Sequence, residues 1–387
     1  MTTVLVCAGD ASGDLHAAGL VRALGERRPD LRFVGLGGQA MEKAGVTLLV
    51  HQRELAIGGL VEVLSSLRRV VAAWRRLGRA LADPRPALAI LVDSPDFNLP
   101  FARRARRAGV PVLYYVSPQV WAWRRRRVRT LARRADRLAA IFPFEPAVYA
   151  GTGLDVEFVG HPLVEPMAAL RAATSRAQAR AALGLAAQGP LVALLPGSRR
   201  NELRHHLGLF IATARALRAR RPDVRFAVGL APTLDREAFD ASLRGAASPA
   251  GFELDIVEGR AHELMLASDV VLAKPGTVTI EAMLLDRPLV VAGRASRLSV
   301  AIGRRIIRVP SFTMANLIAD APVVPEFLQE QARPEAIAEA LALLLEGPAA
   351  DRQRSQLAGV RARLGAGGAA QRTARIAEEM LGGSARP

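Results

Sequence analysis

The sequence predicts an α/β chain built from two doubly wound halves with parallel sheets, and three observations carry that prediction. Short apolar runs recur along the chain, separated by stretches of helical periodicity, the pattern of βαβ units whose strands are buried on both faces. The alternation breaks once, in an Ala- and Arg-rich segment over residues 167–188, and then starts again. At 387 residues and 50% hydrophobic content, the chain is long and apolar enough for two cores. The predicted organisation is a first half over 1–170, a second over 171–365, and a C-terminal helix over 366–387 that packs on the first half or on a partner subunit.

Composition narrows the function classes. No apolar run reaches the ~20 residues that span a bilayer. The N-terminus enters a strand without a basic leader, so no signal peptide is expected. Cys7 is the single cysteine, which rules out an internal disulfide framework and fits a reducing cytoplasm. Cys and His are too sparse and scattered for a structural zinc site, and neither metal nor cofactor is expected. The net charge is +17, yet only Lys43 and Lys274 of the 53 basic residues are lysine. So lopsided a choice points to GC-rich coding rather than to nucleic-acid binding, and aromatics at 5% offer little to stack bases on. An anionic membrane surface or a phosphorylated substrate explains the charge at least as well.

In the first half, the run over 4–8 opens into Gly9-Asp10-Ala11-Ser12-Gly13-Asp14 and a helix to about Arg27. The glycines allow a tight turn, and Ser12 or Asp14 is expected to cap the helix. This is not Gly-x-Gly-x-x-Gly, and no acidic residue is placed for a ribose, so no dinucleotide site is read. Strands are expected at 32–36, 46–50, 87–92 and 112–116, with helices near 39–44 and over about 59–82. Ligands of such sheets bind at the carboxyl ends of strands. Two ends stand out: Asp93-Ser94-Pro95-Asp96-Phe97-Asn98, and Ser117-Pro118-Gln119-Val120-Trp121-Ala122-Trp123 followed by Arg124–Arg127. A carboxylate at a strand end serves as general base toward a hydroxyl. Asp93 is the better placed, while Asp96 reads mainly as a helix cap. The 59–82 helix carries Val61, Val63, Leu64, Leu67, Val70, Val71 and Trp74 beside Arg68, Arg69, Arg75, Arg76 and Arg79. A basic amphipathic element of this kind rests on an anionic membrane, or else turns its apolar side to the core.

The second half centres on the strand 191–195, which ends in Pro196-Gly197-Ser198-Arg199 before a helix over about 205–221. Strand, tight turn and helix point N–H groups at an anion, with Ser198 as cap or donor and the Arg199 guanidinium as a fork for phosphate. The competing reading is an ordinary turn with a solvated Arg199. Strands follow at 225–230, 252–257 and 270–273. The last ends in Lys274-Pro275-Gly276-Thr277, and the helix 278–285 carries Glu281 one turn in; a strand at 288–292 and a helical tail from Pro334 complete the half. Gly276 permits close backbone approach, and this helix N-terminus offers N–H groups to a diphosphate, with Lys274 beside them. Glu281 either accepts two ribose hydroxyls or serves the helix dipole.

Read together and in order, the stretches 8–14, 93–98, 115–123, Phe142-Pro143-Phe144-Glu145, Gly160-His161-Pro162, 195–199 and Gly276-Thr277 through Glu281 resemble the lipid-A-disaccharide synthases. The resemblance runs over nearly the whole chain. It implies a glycosyltransferase B-type fold, with two Rossmann-like domains facing across a cleft. It also implies transfer of 2,3-diacylglucosamine from UDP-2,3-diacylglucosamine to 2,3-diacylglucosamine 1-phosphate, releasing UDP, by a cytoplasmic enzyme on the inner-membrane surface that needs no metal. By position, Asp93 is similar to the family's essential aspartate, with Asp10 beside it as second catalytic candidate. Arg199 is similar to the UDP-contacting arginine, and Asn316 to the asparagine of an Asn-Leu-Leu motif. Ser12, Gly197, Ser198, Lys274, Gly276, Thr277 and Glu281 complete the UDP-sugar set. The chain departs from the pattern in having Asp10 where Glu is usual, Pro275 where Ser is frequent, and Leu-Ile after Asn316. The competing functions are a UDP-sugar 2-epimerase of the same fold and a nucleic-acid binder; a homodimer is compatible with either enzyme.

Overall fold

A computed structural model describes residues 1–55, 63–120, 126–245, 252–296, 300 and 309–383. Two parallel sheets organise them. The first holds β1 (Thr2–Ala8), β2 (Leu31–Gly37), β3 (Thr47–His51), β4 (Leu88–Val92), β5 (Val112–Tyr115), β6 (Arg137–Ala140) and β7 (Asp155–Phe158), in the order β3-β2-β1-β4-β5-β6-β7. The second holds β8 (Leu191–Leu195), β9 (Arg225–Leu230), β10 (Asp255–Glu258), β11 (Val270–Ala273), β12 (Leu289–Gly293) and β13 (Glu326–Leu328), in the order β10-β9-β8-β11-β12-β13.

Strand composition follows position in the sheet. β4, β5, β8, β11 and β12 lie inside their sheets and are buried along their whole length, which is why each is a continuous apolar run. The edge strands β3, β7, β10 and β13 are mostly part-exposed and mix polar residues into the run. β13 is a strand that no apolar run announces, being short and opening on Glu326.

The chain divides into two compact units, Met1–Pro162 with Gly365–Pro387, and Leu163–Leu364. The division falls before residue 170 because the Ala- and Arg-rich segment is built into the second unit. Helix Val164–Ala173 contacts helix Thr277–Leu284 and buries Met167. Helix Arg176–Ala182 starts on a capping box at Ser175 and sends Arg180 inward, onto Asp269 at 3.0 Å and the Ala267 carbonyl at 2.9 Å. The C-terminal helix Ala369–Gly383 packs on helix Ala11–Arg27 in the first unit. Ion pairs Arg27–Glu378 (2.5 Å) and Arg137–Glu379 (2.6 Å) edge that contact.

Candidate active site

Each sheet has one point where the strand order reverses, between β1 and β4 in the first unit and between β8 and β11 in the second. Crevices at such points are where open α/β sheets hold ligands. Asp10, Ser12 and Asp93 follow the strands at the first, and Gly197, Ser198, Arg199, Lys274, Gly276 and Thr277 those at the second.

In the first unit, β4 ends in two consecutive non-glycine residues in the left-handed region, Asp93 (φ 46°) and Ser94 (φ 41°). Strain of this kind costs about 1–3 kcal/mol per residue and persists only where the surroundings over-determine it. Here they do. The Asp93 carbonyl accepts from Tyr114 Oη at 2.5 Å and Asn98 Nδ2 at 2.9 Å, while its N–H donates to the Tyr115 carbonyl at 3.0 Å. Ser94 Oγ donates to Asp10 Oδ2 at 3.1 Å and accepts from the Gly9 N–H at 3.2 Å. A Cβ on Gly9 would lie 2.8 Å from that hydroxyl, so only glycine lets the two strand ends approach so closely. Asp10 caps the helix Ala11–Arg27 through the Gly13 N–H at 2.7 Å.

The result is a pair of carboxylates on adjacent strand ends. Burial, reinforced by the negative charge of Asp10, pushes the Asp93 carboxyl up to about 7, against an opposing hydrogen bond from the Ser94 N–H. A carboxylate so adjusted suits a general base at neutral pH. Two imidazoles are nearby. Burial pulls His16 down to about 4 despite Asp10, and Ser12 Oγ lies 3.3 Å from its Nε2. Burial and His16 together pull His161 down to about 3. Both rings are neutral at physiological pH.

Two expectations change here. Neither Ser12 nor Asp14 caps the first helix. Asp14 points away and caps another helix, Gln39–Lys43, accepting from the N–H groups of Gly38 (2.7 Å), Ala40 (2.9 Å) and Met41 (3.1 Å). Asp96 is not a cap either. It sits in the first turn of helix Pro95–Arg107 and pairs with Arg127 at 2.5 Å.

In the second unit the turns after β8 and β11 are tied together by Glu202. Its carboxylate accepts from the Ser198 N–H at 2.8 Å, Lys274 Nζ at 3.0 Å and Arg199 Nη1 at 3.3 Å. Burial raises the Glu202 carboxyl, but these donors outweigh it and hold the group below its ordinary range. Gly197 makes this possible. Its φ is 134°, and a Cβ there would lie 2.6 Å from that of Glu202. Ser198 does not cap helix Arg200–Arg220, whose N-cap is Arg199; Thr233 Oγ1 holds the Ser198 carbonyl at 2.7 Å instead. The Arg199 side chain is 80% exposed, which leaves most of its guanidinium for a ligand. Gly276 (φ 146°) is the N-cap of helix Thr277–Leu284, and Thr277 is exposed. Glu281 Oε2 stands 3.5 Å from His262 Nε2, and that hydrogen bond raises the imidazole against burial.

Asn316 turns its amide to the protein. It is buried, its Nδ2 donates to the Val324 carbonyl (2.9 Å) and Glu326 (3.1 Å), and its Oδ1 accepts from the Val324 N–H (2.7 Å). Both its donors are engaged within the protein, and they shape the loop. Glu326 also accepts from the Phe312 and Thr313 N–H groups.

Of the membrane-contact residues, Val61 and the side chains of Val63, Leu64 and Leu67 lie outside the described residues. Within helix Val63–Arg79, Val71 is 40% exposed and Val70 half-buried. Trp74 packs edge-on against Phe97 and Phe101, both at 5.6 Å, and belongs to the core side of the helix. No described helix is long and apolar enough to cross a membrane. Among the described residues no group of three or more His, Cys, Asp or Glu side chains is arranged to hold a metal.

Sequence reasoning missed Asn98, Tyr114, His16, Glu202 and His262. Only spacing hinted at two of them: Ser12 and His16 stand one helical turn apart, and Glu202 falls in the first turn after Arg199.

Comparison with known proteins gives the family and the fold. A family model described as lipid-A-disaccharide synthetase matches residues 4–378. The lipid-A-disaccharide synthase of Myxococcus xanthus is 44% identical over 98% of this chain and 97% of its own length. That of Syntrophotalea carbinolica is 42% identical over 97% and 95%. A UDP-GlcNAc 2-epimerase from Neisseria meningitidis, solved with UDP-GlcNAc, superposes with a TM-score of 0.67 at 14% identity, covering 99% of this chain and 100% of that one. A calicheamicin glycosyltransferase gives 0.60 at 17% identity and full coverage of both. At such identities the solved structures speak for the glycosyltransferase B-type fold alone. The near-complete match to the family model and identities above 40% across the chain settle the rest: this chain belongs to the lipid-A-disaccharide synthase family, hexosyltransferases of lipid A biosynthesis.

Proposed function

We propose that the chain transfers 2,3-diacylglucosamine from UDP-2,3-diacylglucosamine to the 6-hydroxyl of 2,3-diacylglucosamine 1-phosphate in a single inverting displacement. The observation that carries this reading is Asp93, a carboxylate pinned by its backbone at a sheet switch point with its carboxyl pushed up to about 7. Asp93 takes the proton from the acceptor hydroxyl as the oxygen attacks the anomeric carbon, and UDP departs from the opposite face. In the second unit Arg199, Lys274 and the first N–H groups of helix Thr277–Leu284 hold the diphosphate as its charge develops. Glu281 accepts from the ribose hydroxyls.

Acylated substrates bring the enzyme to a bilayer, and we infer that it works on the cytoplasmic surface of the inner membrane. Val71 is exposed between the exposed Arg69 and Arg75, the composition that draws a helix to anionic lipid. Leu15, 62% exposed, adds an apolar side chain next to His16 and three residues from Ser12.

The test is UDP release from UDP-2,3-diacylglucosamine with and without the acylated acceptor. Release that requires the acceptor is the expected result. Epimerisation of UDP-N-acetylglucosamine with no acceptor would overturn it. Co-sedimentation with anionic vesicles, weakened by salt, tests the membrane contact.

A further inference from the structure

We propose that the pocket beside Lys274 in the second unit receives the acyl chain on C2 of the donor sugar, so that this unit reads lipid as well as nucleotide. The proposal rests on the transferase reading above. The pocket has a volume of about 780 Å³, within the range of small-molecule sites, and its surface is mostly apolar. Phe312, Leu328, Val309 and Pro275 supply that surface, and Phe312 is 46% exposed. An exposed aromatic in a concave apolar wall is a surface prepared for a ligand.

Several of the polar residues around the pocket have turned their polar atoms to the protein. Glu202 accepts from the Ser198 N–H and Lys274. Arg294 Nη2 donates to the Ala332 carbonyl at 2.6 Å, and Gln329 Oε1 accepts from the Ala295 N–H at 3.3 Å. His206 has its Nδ1 3.1 Å from the Pro196 carbonyl, and burial keeps its ring below the usual range and hence neutral. A sugar hydroxyl placed here would find few partners, whereas a hydrocarbon chain would strand few polar groups.

The occupant follows from what borders the apolar space. Lys274 and Glu202 line the pocket, and Glu202 joins it to Arg199, which with Lys274 faces the diphosphate in the proposed mechanism. The complementary ligand carries an anionic group and, only a few bonds away, a hydrocarbon. In an acylated UDP-sugar the diphosphate sits on C1 and an acyl group on the neighbouring C2, which is that arrangement. An acetyl group at C2 would leave most of the pocket empty.

The experiment measures Kd of the full chain by calorimetry for UDP, UDP-N-acetylglucosamine and UDP-2,3-diacylglucosamines of increasing chain length. It uses wild type, Phe312→Ser and Leu328→Gln. For wild type we expect affinity to rise about fourfold per buried methylene until the pocket is full, and UDP-N-acetylglucosamine to bind no better than UDP. Each variant should lose on the order of tenfold for the long-chain donor. UDP itself should bind within about twofold of wild type, which also shows the variants are folded. Variants that keep the full chain-length dependence overturn the proposal while wild-type transfer still stands. Absence of acceptor-dependent UDP release from wild type overturns the transferase reading instead. Competition of the long-chain donor by phosphatidylglycerol vesicles, lost in both variants, would assign the pocket to a membrane lipid and overturn the donor as its occupant.

Discussion

Replacing Asp10 by Asn isolates the electrostatic half of the Asp93 argument. Asn caps a helix as well as Asp does, so its Oδ1 can still accept from the Gly13 N–H, and the helix Ala11–Arg27 keeps its start. What disappears is one negative charge, together with the acceptor of the Ser94 hydroxyl. Wild-type Asp93, with its carboxyl at about 7, is about one-tenth ionised at pH 6. The kcat/KM for acceptor-dependent UDP release should therefore fall about tenfold per pH unit on the acid side of 7. In Asp10→Asn burial remains, being the larger cause, so the acid limb should move down by on the order of one unit and stop above the ordinary carboxylate range. Normalised to each plateau, the variant should be several-fold faster than wild type at pH 6. The same shift sets the sign for stability. Native Asp93 binds a proton that the unfolded chain has released, so stability falls as pH rises from about 4 to about 7. Asp93→Asn should flatten the melting temperature over that window and lower turnover by ~10²-fold or more. An acid limb that stays in place in Asp10→Asn, or that lies near pH 4 in wild type, would refute the reasoning.

Three further substitutions probe the second unit. Glu202→Gln keeps an acceptor for the Ser198 N–H but releases Lys274, and should raise the Kd for UDP about tenfold in calorimetry; tighter binding would mean that Glu202 competes with the diphosphate. Gly197→Ala forces a side chain into a φ of 134° and against Glu202, and should cost about 1–3 kcal/mol in urea unfolding while weakening UDP binding. Asp269→Asn strands the buried Arg180 guanidinium and should cost about 3–5 kcal/mol in the same assay with little change in the Kd for UDP; a stability loss under about 1 kcal/mol would show that Arg180 finds other acceptors.

What the sequence reveals and what it hides divide along physical lines. The central strands are legible because burial on both faces demands unbroken apolar runs, as in Leu88–Val92 and Leu191–Leu195. Asp93 is legible because it follows such a run directly. Its supports are not, since Tyr114 and Asn98 matter only through a left-handed backbone that no local pattern encodes. Ser12 and Asp14 look interchangeable as caps, and only the packing decides that Asp10 caps the first helix while Asp14 serves a different one. Trp74 sits in an amphipathic helix whose apolar side looks the same whether it meets core or lipid, and Phe97 and Phe101 decide the matter. Likeness to a family locates Asn316 but not the direction of its amide, which turns inward to Val324.

The two switch points also explain why one topology supports two chemistries. Each carries a carboxylate close to where a central strand ends, Asp93 directly after β4 and Glu202 in the first turn of the helix that follows β8. Asp93 is half-buried, with the Asp10 carboxylate and no cation among the influences that set its titration, and it is pushed up to about 7. Glu202 is also partly buried, yet an N–H, an ammonium and a guanidinium draw its carboxyl below the usual range. Exchanging these surroundings would defeat both sites. A carboxylate beside Lys274 is too weak a base to take a hydroxyl proton, and one raised toward 7 holds a lysine poorly. The sheet supplies position in both units; in the proposed mechanism the residues that follow each strand decide whether that position moves a proton or holds an anion.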